Sequence, residues 1–276
     1  MLEYCLKIVH TAAIIIAALM FASCASLSGS GVGRLKRYEI KSERLPAQFN
    51  GCTIAFISDV HYPSKFNRKR LAKVMRKLRT LEPQMLLLGG DYVTSNSYID
   101  ELFDSIASIK TNYGTYAVLG NHEFSRAELI KEAMRSRGIS LLGDEAHAIT
   151  NEKTIYIAGV ANPFKVDSLT VSPTETVADS CFTILLVHTP DYAQTVGARA
   201  DVVLSGHTHG GQVSLFGLYT PVKNSRYGSR FLRGLNKTDD AVPVITTNGI
   251  GTSRRKVRFC VPSEIVIVTL RRAPQK

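Results

Sequence analysis

The segment CTIAFISDVH, residues 52–61, is the most informative part of this chain about its fold. It opens with an apolar run of strand-forming residues and ends on two polar side chains, Asp59 and His61. A short apolar run bounded by polar residues predicts a buried β-strand. Asp59 and His61 would then follow the carboxyl end of that strand, and the same arrangement recurs further along the chain.

Outward from this strand, apolar runs alternate with helical patterns. A helical pattern covers residues 67–80, MLLLGGD follows at 85–91, a weaker helix follows Tyr98, and TYAVLGNHE occupies 115–123. Ser125 and Glu128 match a capping box, which predicts the start of a helix that Gly138 ends. The second half is richer in strand-like runs, namely TIYIAGV (154–160), CFTILLVH (181–188), DVVLSGH (201–207), AVPVITTNG (241–249) and VRFCVPSEIVIVTL (257–270). This alternation predicts an α/β layered core, and two packed sheets flanked by helices would accommodate the number of strands.

Side chains that bind metals follow five of the apolar runs. They are Asp59, His61, Asp91, Asn121, His122, His188, His207 and His209. Any one of these residues, taken singly, could equally be an ordinary turn residue or a histidine buried in the core. The chain has only seven histidines, and five of them fall at these positions. Because carboxylates and imidazoles together are what divalent metals select, the set predicts a catalytic metal site at one edge of the fold.

The ordered set resembles the five motifs of calcineurin-like metallophosphoesterases over about residues 52–270. The matching segments are Asp59-x-His61, Gly90-Asp91, Gly120-Asn121-His122-Glu123, His188 and Gly206-His207-Thr208-His209. The runs GHTHGGQ at 206–212 and GIGTS at 249–253, before VRFC at 257–260, are similar to the membrane-associated bacterial branch of that family. The resemblance implies a four-layer αββα sandwich of two mixed sheets flanked by helices.

The resemblance also implies roles for the individual residues. Asp59, His61 and His209 would bind one divalent metal, Asn121, His188 and His207 a second, and Asp91 would bridge the two. Mn²⁺ is the first expectation for both ions, with Fe, Zn²⁺ and Mg²⁺ as alternatives. His122 would donate the proton to the leaving group, since the pKa of histidine lies near neutral pH. Glu123 would either orient His122 or be an exposed residue at the start of the next loop.

The expected activity is hydrolysis of a phosphoester or pyrophosphate bond by a binuclear metal site. UDP-2,3-diacylglucosamine, or another lipid-linked phosphoester, is the most specific candidate substrate. Thr94 and Ser95 stand where the protein phosphatases of the family carry Asp and Arg, which disfavours that activity. One alternative is a catalytically silent metal-binding or scaffold protein. A second is a metal-dependent hydrolase of carboxylic esters or amides, but the sequence contains neither a Gly-x-Ser-x-Gly nor a His-Glu-x-x-His motif.

The N-terminal segment predicts membrane association. Residues 8–22 are apolar apart from His10 and Thr11, which fits the apolar core of an export signal and falls short of the roughly 20 residues of a spanning helix. Phe21 to Ala25 resemble a lipobox, with Cys24 as the acylated residue. The basic residues after the apolar run favour the alternative of an uncleaved anchor, so the membrane face stays open. We expect residues 1–33 to form the signal or anchor with a Gly/Ser tether, and residues 34–276 to form the metallophosphoesterase domain.

Composition adds a preference for anionic partners. The chain has 276 residues, 45% of them hydrophobic, and a formal charge of +11, so it can bury a full core and attract phosphate esters, acidic lipids or nucleic acid. Its most basic segment is the helix at 67–80, with Arg68, Lys69, Arg70, Lys73, Arg76, Lys77 and Arg79. This face suits an anionic membrane surface or plain solvent, whereas nucleic acid is disfavoured because no aromatic residues are interleaved. Cys52, Cys181 and Cys260 are expected to be buried thiols, and the oligomeric state is left open.

Overall fold

The computed structural model describes residues 6–15, 31–63, 66–167, 169–254 and 256–274. The lipobox-like segment with Cys24, and all of the tether before residue 31, lie outside the described residues. Residues 6–15 form a helix, α1, within the apolar N-terminal segment. Among the described residues, no helix combines the length and the apolar character needed to cross a bilayer.

The first sheet has six strands and contains the strand of residues 52–61. Its members are β1 (Arg34–Ser42), β2 (Thr53–Ile57), β3 (Met85–Leu88), β4 (Thr115–Ala117), β5 (Ile139–Leu141) and β12 (Glu264–Arg272). They are ordered β1-β12-β2-β3-β4-β5. Strands β2, β3, β4 and β5 run parallel, whereas β12 is antiparallel to β2, so the sheet is mixed.

The second sheet also has six strands, and all of them come from the second half of the chain. Its members are β6 (Glu145–Asn151), β7 (Lys153–Gly159), β8 (Thr183–Val187), β9 (Val202–Ser205), β10 (Gly234–Lys237) and β11 (Pro243–Thr246). They are ordered β10-β11-β9-β8-β7-β6. The central strands β7, β8, β9 and β11 are parallel, and the two edge strands are antiparallel to their neighbours.

Helices cover both outer faces of the paired sheets. They are α2 (Arg68–Leu81), α3 (Ile99–Ala107), α4 (Ala127–Arg135) and α5 (Asp191–Thr195). Leu71 and Leu102 pack with Ala55 and Ile57 on the first sheet, and Tyr192 packs with the outer face of the second. Since successive side chains of a strand point to opposite faces, Ile54 and Phe56 instead meet Ile184 and Leu186 between the sheets. The predicted αββα sandwich of two mixed sheets is confirmed.

The start of one helix agrees with the sequence-based expectation, and the start of another differs from it. Helix α2 begins as predicted, with the Asn67 side chain accepting a hydrogen bond from the Arg70 backbone N–H. The predicted capping box at Ser125 is wrong, because a short 3-10 turn occupies 124–126 and Arg126 stands at the start of α4 without a side-chain cap. The helix ends at Arg135, and Gly138 follows with a φ of 68°.

The basic face of α2 is smaller than the sequence indicates. Arg70 is 2% exposed, and its guanidinium donates to the Gly31 and Ile250 carbonyls and to the Ser263 hydroxyl. It therefore ties the helix to the loops beside the first sheet and is not available to a membrane. Nearby, Tyr62 and Phe66 are fully buried and pack the loop after β2.

The expectation of three buried thiols is correct only for Cys52. Its burial raises the pKa of the thiol to about 12. Cys181 and Cys260 are half-buried, because each lies in a loop outside the central strands.

Candidate metal centre

The carboxyl ends of the central strands in both sheets meet at one edge of the sandwich. Parallel neighbours end at the same edge, so the loops after β2, β3 and β4 lie beside those after β8 and β9. The structure brings all eight residues that the sequence singled out to this edge.

A first cluster consists of Asp59, His61, Asp91 and His209, whose ligand atoms all lie within 4.8 Å of one another. The Nε2 atoms of His61 and His209 are 3.1 Å apart, and His209 Nε2 is 3.3 Å from Asp59 Oδ1. One divalent ion bound to two such atoms at 2.0–2.1 Å would hold them about 2.9–3.4 Å apart. These short distances are compatible with one cation bound among the four side chains.

A second cluster lies next to the first and consists of Asn121, His188 and His207. Asn121 Oδ1 lies 3.0 Å from His207 Nδ1 and 3.3 Å from His188 Nε2. The other nitrogen of His188, Nδ1, is 2.6 Å from the Gly89 carbonyl oxygen, which fixes the ring and leaves Nε2 directed at the centre. An amide oxygen and two imidazoles form a donor set suited to a borderline divalent ion.

Asp91 lies between the two clusters. Its Oδ2 atom is 3.4 Å from His61 Nε2 in the first cluster and 3.5 Å from His188 Nε2 in the second. Its Oδ1 atom accepts the backbone N–H of His122, which orients the carboxylate. One carboxylate thus faces both groups of ligands.

The backbone at this edge is held in a conformation that side chains rarely adopt. Five of the eight residues have positive φ angles, namely Asp59 (56°), His61 (46°), Asp91 (58°), His207 (67°) and His209 (53°). Left-handed backbone costs of order 1–3 kcal/mol at a residue other than glycine and persists where the surroundings enforce it. Such clustering is typical of a functional site and distinguishes these residues from ordinary turns.

Two glycines allow the loops to approach each other. A Cβ at Gly206 would lie 2.1 Å from Ser58 Oγ and 2.4 Å from Asp59 Oδ2. At Gly120 it would lie 2.2 Å from Asp91 Oδ1. Both positions exclude any larger residue because the side chain would displace a candidate ligand.

Burial and charge set the protonation of the cluster. Burial lowers the pKa of His61 to about 4 and that of His207 to about 3, and it holds the pKa of His209 well below its usual value. Neutral imidazole is the form that binds metals. Burial raises the pKa of Asp59 to about 6, and its effect on Asp91 is outweighed by the neighbouring histidines, which lower the pKa of that carboxyl.

His188 behaves differently from the other histidines. Burial would lower its pKa, but the adjacent Asp91 carboxylate raises it to about 9. A cation bound at His188 would take the place of the ring proton. The negative charge of Asp91, which favours the protonated ring, would therefore favour a bound cation in the same way.

Glu123 is a residue whose role the sequence left undetermined. It is fully buried, and its carboxylate accepts the backbone N–H groups of Asp91, Tyr92 and Gly120 at 2.7–2.9 Å. Burial, together with the charge of Asp91, raises its pKa to about 7. The expectation of an exposed residue is wrong. Glu123 instead ties the loop after β3 to the loop after β4, and so holds Asp91 in place.

Arg258 is a second positioning residue, and no pattern in the sequence indicates this role. Its buried guanidinium donates to the backbone carbonyls of His209, Asn248, Gly251 and Val261. Burial lowers its pKa to about 10. It fixes His209 to the loop at 248–251, whose glycines lie against Asp59. A single arginine within a strand-like run carries no signal of this role, because its partners are backbone atoms from distant segments.

A cleft of about 550 Å³ opens over the centre. Asp91, Asn121, His122 and His207 lie in its floor, and the segments at 211–213 and 221–224 form a wall. The side chain of His122 is 46% exposed and its Nε2 lies 3.8 Å from Asp91 Oδ2, so it can meet a group in the cleft. Phe164, which the sequence did not indicate, places its ring 4.9 Å from the ring of His207.

The profile of the calcineurin-like phosphoesterase family matches residues 52–211, which contain all eight of these residues. The chain belongs to this family. It is a metal-dependent hydrolase of phosphoesters that uses divalent metal ions.

Relatives of this calcineurin-like phosphoesterase cover most of its length. It is 30% identical over 248 residues to an uncharacterized metallophosphoesterase of Aquifex aeolicus (strain VF5), across 86% of this chain and 92% of that protein. It is 26% identical over 242 residues to the uncharacterized metallophosphoesterase YkuE of Bacillus subtilis (strain 168), across 85% and 84%. A transmembrane protein with metallophosphoesterase domain from Danio rerio is 28% identical over 253 residues, across 85% of this chain and 56% of that protein.

Proposed function

We propose that the protein hydrolyses its phosphoester substrate with two divalent metal ions. The first would be held by Asp59, His61 and His209, the second by Asn121, His188 and His207, and Asp91 would bridge them. The observation that carries this assignment is the position of Asp91 Oδ2, 3.4 Å and 3.5 Å from the facing nitrogens of the two clusters. Mn²⁺ is the proposed metal, since the donor set mixes carboxylate, amide and imidazole.

When bound, two such ions polarise the phosphoryl oxygens and supply a water nucleophile at neutral pH. The remaining chemistry belongs to the chain. His122 lies in the floor of the cleft and is not one of the proposed ligands, so we assign it the transfer of a proton to the leaving oxygen. The Asp91 carboxylate keeps His122 in place through its bond to the His122 backbone N–H.

Metal reconstitution tests this assignment. The purified protein is stripped with a chelator and refilled separately with Mn²⁺, Fe²⁺, Zn²⁺ or Mg²⁺, and the ions per chain are counted alongside hydrolysis of bis(p-nitrophenyl) phosphate. We expect two ions per chain at full activity, and the highest activity with Mn²⁺. Full activity at one ion per chain would overturn the binuclear assignment, and higher activity with another ion would overturn the choice of metal.

We propose further that the substrate is lipid-linked and is met at a membrane surface, with UDP-2,3-diacylglucosamine as the candidate. The support is an apolar loop at 215–222, which lies beside the cleft. Its exposed side chains are Leu215 (46%), Phe216 (39%), Leu218 (92%), Tyr219 (60%) and Val222 (54%). An exposed group of large apolar residues at the rim of a site marks an interaction surface. Val222 also lines the cleft, so an acyl chain could pass from this loop to the metal centre.

Charge on α2 and the N-terminal segment support the same proposal. Lys69 and Arg76 on α2 are exposed, and anionic headgroups attract such residues by roughly 1 kcal/mol each. Residues 1–33 would anchor the domain of residues 34–276 next to its substrate and so raise the local concentration.

Vesicles test the membrane proposal. We expect Leu218→Asp to weaken hydrolysis of a diacylated pyrophosphate in phosphatidylglycerol vesicles by about tenfold while leaving bis(p-nitrophenyl) phosphate hydrolysis unchanged. Leu235→Asp is the control, because Leu235 is likewise an exposed leucine, at 46% against 92% for Leu218, but lies on the edge strand β10. A chain that begins at residue 34 should lose activity on vesicles and keep it on the soluble ester. Equal activity of all variants on vesicles would contradict the lipid-linked substrate.

A further inference from the structure

A second, smaller cavity of about 230 Å³ adjoins the metal centre. It shares a wall with the centre, because both His61 and His122 line it. The rest of its lining comes from the loop after β3, from Arg126 at the start of α4, and from residues 252–254 with Lys256. It is therefore reached from the side of His122, the proposed proton donor.

The cavity is strongly basic. Arg126, Arg254 and Lys256 line it, and no carboxylate does. Over the described ranges of the chain, none of the three forms an ion pair, whereas other arginines at the surface, such as Arg199 and Arg230, are paired with carboxylates. Three cations that converge without a counter-charge create a site for an anion.

Two buried polar atoms of the same cavity lack partners. Arg126 Nε and Thr252 Oγ1 are inaccessible to solvent, and neither has a hydrogen-bond partner among the residues that the structure describes. The remainder of the Arg126 guanidinium makes only a long bond of 3.4 Å to the Val93 carbonyl. Buried donors almost always find a partner in a protein, so these two point to a ligand with acceptor oxygens.

The segment that carries Arg254 is held in place. Gln212, which directly follows the GHTHGG run, accepts the Ser253 backbone N–H at 2.8 Å and donates to the Ser253 carbonyl at 3.0 Å. The basic segment is thus tied to the loop that carries His207 and His209. Its position relative to the centre is defined by the fold.

We propose that this cavity, which we call the basic subsite, binds a second phosphate on the leaving-group side of the scissile bond. The proposal rests on the phosphoesterase function proposed above and narrows its substrate class. The substrate would be a pyrophosphate, or an ester of an alcohol that is itself phosphorylated. Arginine and lysine are the residues that recognise phosphate oxygens, and His122 in the shared wall places the leaving oxygen between subsite and metals.

For a pyrophosphate the reaction is balanced with water alone. The water oxygen forms a bond to the attacked phosphorus, and the bond from that phosphorus to the bridging oxygen breaks. One water proton is released from the nucleophile, and the bridging oxygen, which takes a proton through His122, leaves with the second phosphate. The products are two phosphomonoesters. The basic subsite would hold the second of them through its phosphate oxygens.

Three substrates test the proposal on the metal-loaded protein. Methyl p-nitrophenyl phosphate has a leaving group without phosphate, P1,P2-dimethyl pyrophosphate has a phosphate leaving group, and methyl 2-phosphoethyl phosphate has a phosphorylated alcohol. We expect the double variant Arg254→Gln, Lys256→Gln to lower kcat/KM for the second or third substrate by about 10- to 100-fold. The value for methyl p-nitrophenyl phosphate should stay within about twofold. Whichever substrate responds identifies the source of the second phosphate.

Arg226→Gln is the matched control, because Arg226 is exposed and lines the neighbouring cavity on the side of His207. It should leave all three values unchanged. Both residues of the double variant are exposed, so the fold should tolerate their replacement. Arg126→Lys keeps the charge but lacks Nε, and it should lower kcat/KM for the responding substrate by a smaller factor. Equal losses for all three substrates, or no loss, would overturn the basic subsite while the phosphoesterase stands. A metal-loaded wild type that hydrolyses none of them would overturn both proposals.

Discussion

The two halves of the metal centre differ in their exposure to solvent. Asp59, His61, Asp91 and His209 are at most 2% exposed. In the second half, Asn121 is exposed and His207 is half-buried, while His188 is fully buried. His122, next to Asn121, is exposed as well. All four members of the first half are therefore buried, whereas two members of the second, Asn121 and His207, are accessible from the cleft.

This difference in exposure indicates that the first half of the centre contributes to the structure, whereas the second contains side chains that face the substrate. In the buried half, the Asp59 carboxylate also accepts a hydrogen bond from the His207 backbone N–H. This side chain therefore connects the loop after β2 to the loop after β9. In the open half, the ring of His207 and the amide of Asn121 contact each other and the cleft. We therefore expect changes in the first half to affect both folding and metal content, and changes in the second to affect catalysis.

The largest effect is expected where the halves meet. Asp91→Ala should remove both ions and lower kcat/KM by more than about 10⁴-fold, because the two cations would repel without a shared carboxylate. Metal content by mass spectrometry of the desalted protein checks this. Retention of two ions with normal turnover would show that Asp91 does not join the halves.

The open half should contain the residue that acts on the leaving group. His122→Ala should keep both metals and lose about 10² to 10⁴ in rate on an alkyl ester or pyrophosphate. The loss should be much smaller for a nitrophenyl ester, since that leaving group departs without a proton. Equal losses on both substrates, or loss of a metal, would make His122 a ligand or a structural residue.

A matched pair of histidines compares the halves directly. His209→Ala and His207→Ala should each weaken the binding of one ion by about 100-fold. Only His209→Ala should also destabilise the metal-free protein, by about 1–3 kcal/mol, because that ring is buried against His61. Urea unfolding of the stripped proteins gives the comparison, and equal stabilities would contradict the structural role of the buried half.

The halves should also differ in the pH dependence of metal uptake. The pKa of His188 is raised to about 9, so below that pH an ion must displace a proton, and affinity should rise about tenfold per pH unit from 7 to 9. His61 and His209 have lowered pKa values, so their half should bind independently of pH in this range. Calorimetric titration of the stripped protein at pH 7, 8 and 9 distinguishes the two. Identical slopes for both ions would refute the assignment.

The smallest effect is expected behind the centre, at Glu123. Glu123→Gln replaces one acceptor oxygen with an amide that faces a backbone N–H, which should destabilise the protein by about 1–3 kcal/mol. Because no ligand is removed, both metals should be retained. Chemical unfolding and a metal count check this, and loss of an ion would make Glu123 part of the coordination.

Regular elements and their polar ends could be predicted because each depends on a local pattern. The period of two in residues 53–57 buries alternate side chains on opposite faces of β2, and the apolar stripe of α2 packs as its spacing requires. The capping box at Ser125 failed because Ser125 lies inside the 3-10 turn at 124–126, so that α4 begins only at Ala127. Arg70 could not be assigned, since its partners, Gly31, Ile250 and Ser263, lie far away in sequence.

The sequence alone predicts the layered α/β fold, the family, and the set of candidate metal-binding side chains that follow the strands. The packing of the two sheets shows which of these candidates face each other, which histidine is exposed, and that Glu123 and Arg258 hold the loops. It also brought Arg126, Arg254 and Lys256 to one cavity. The reason is physical: a strand or a helix is specified by neighbours within a few residues, whereas protonation, burial and convergent charge depend on segments that meet only when both sheets have packed.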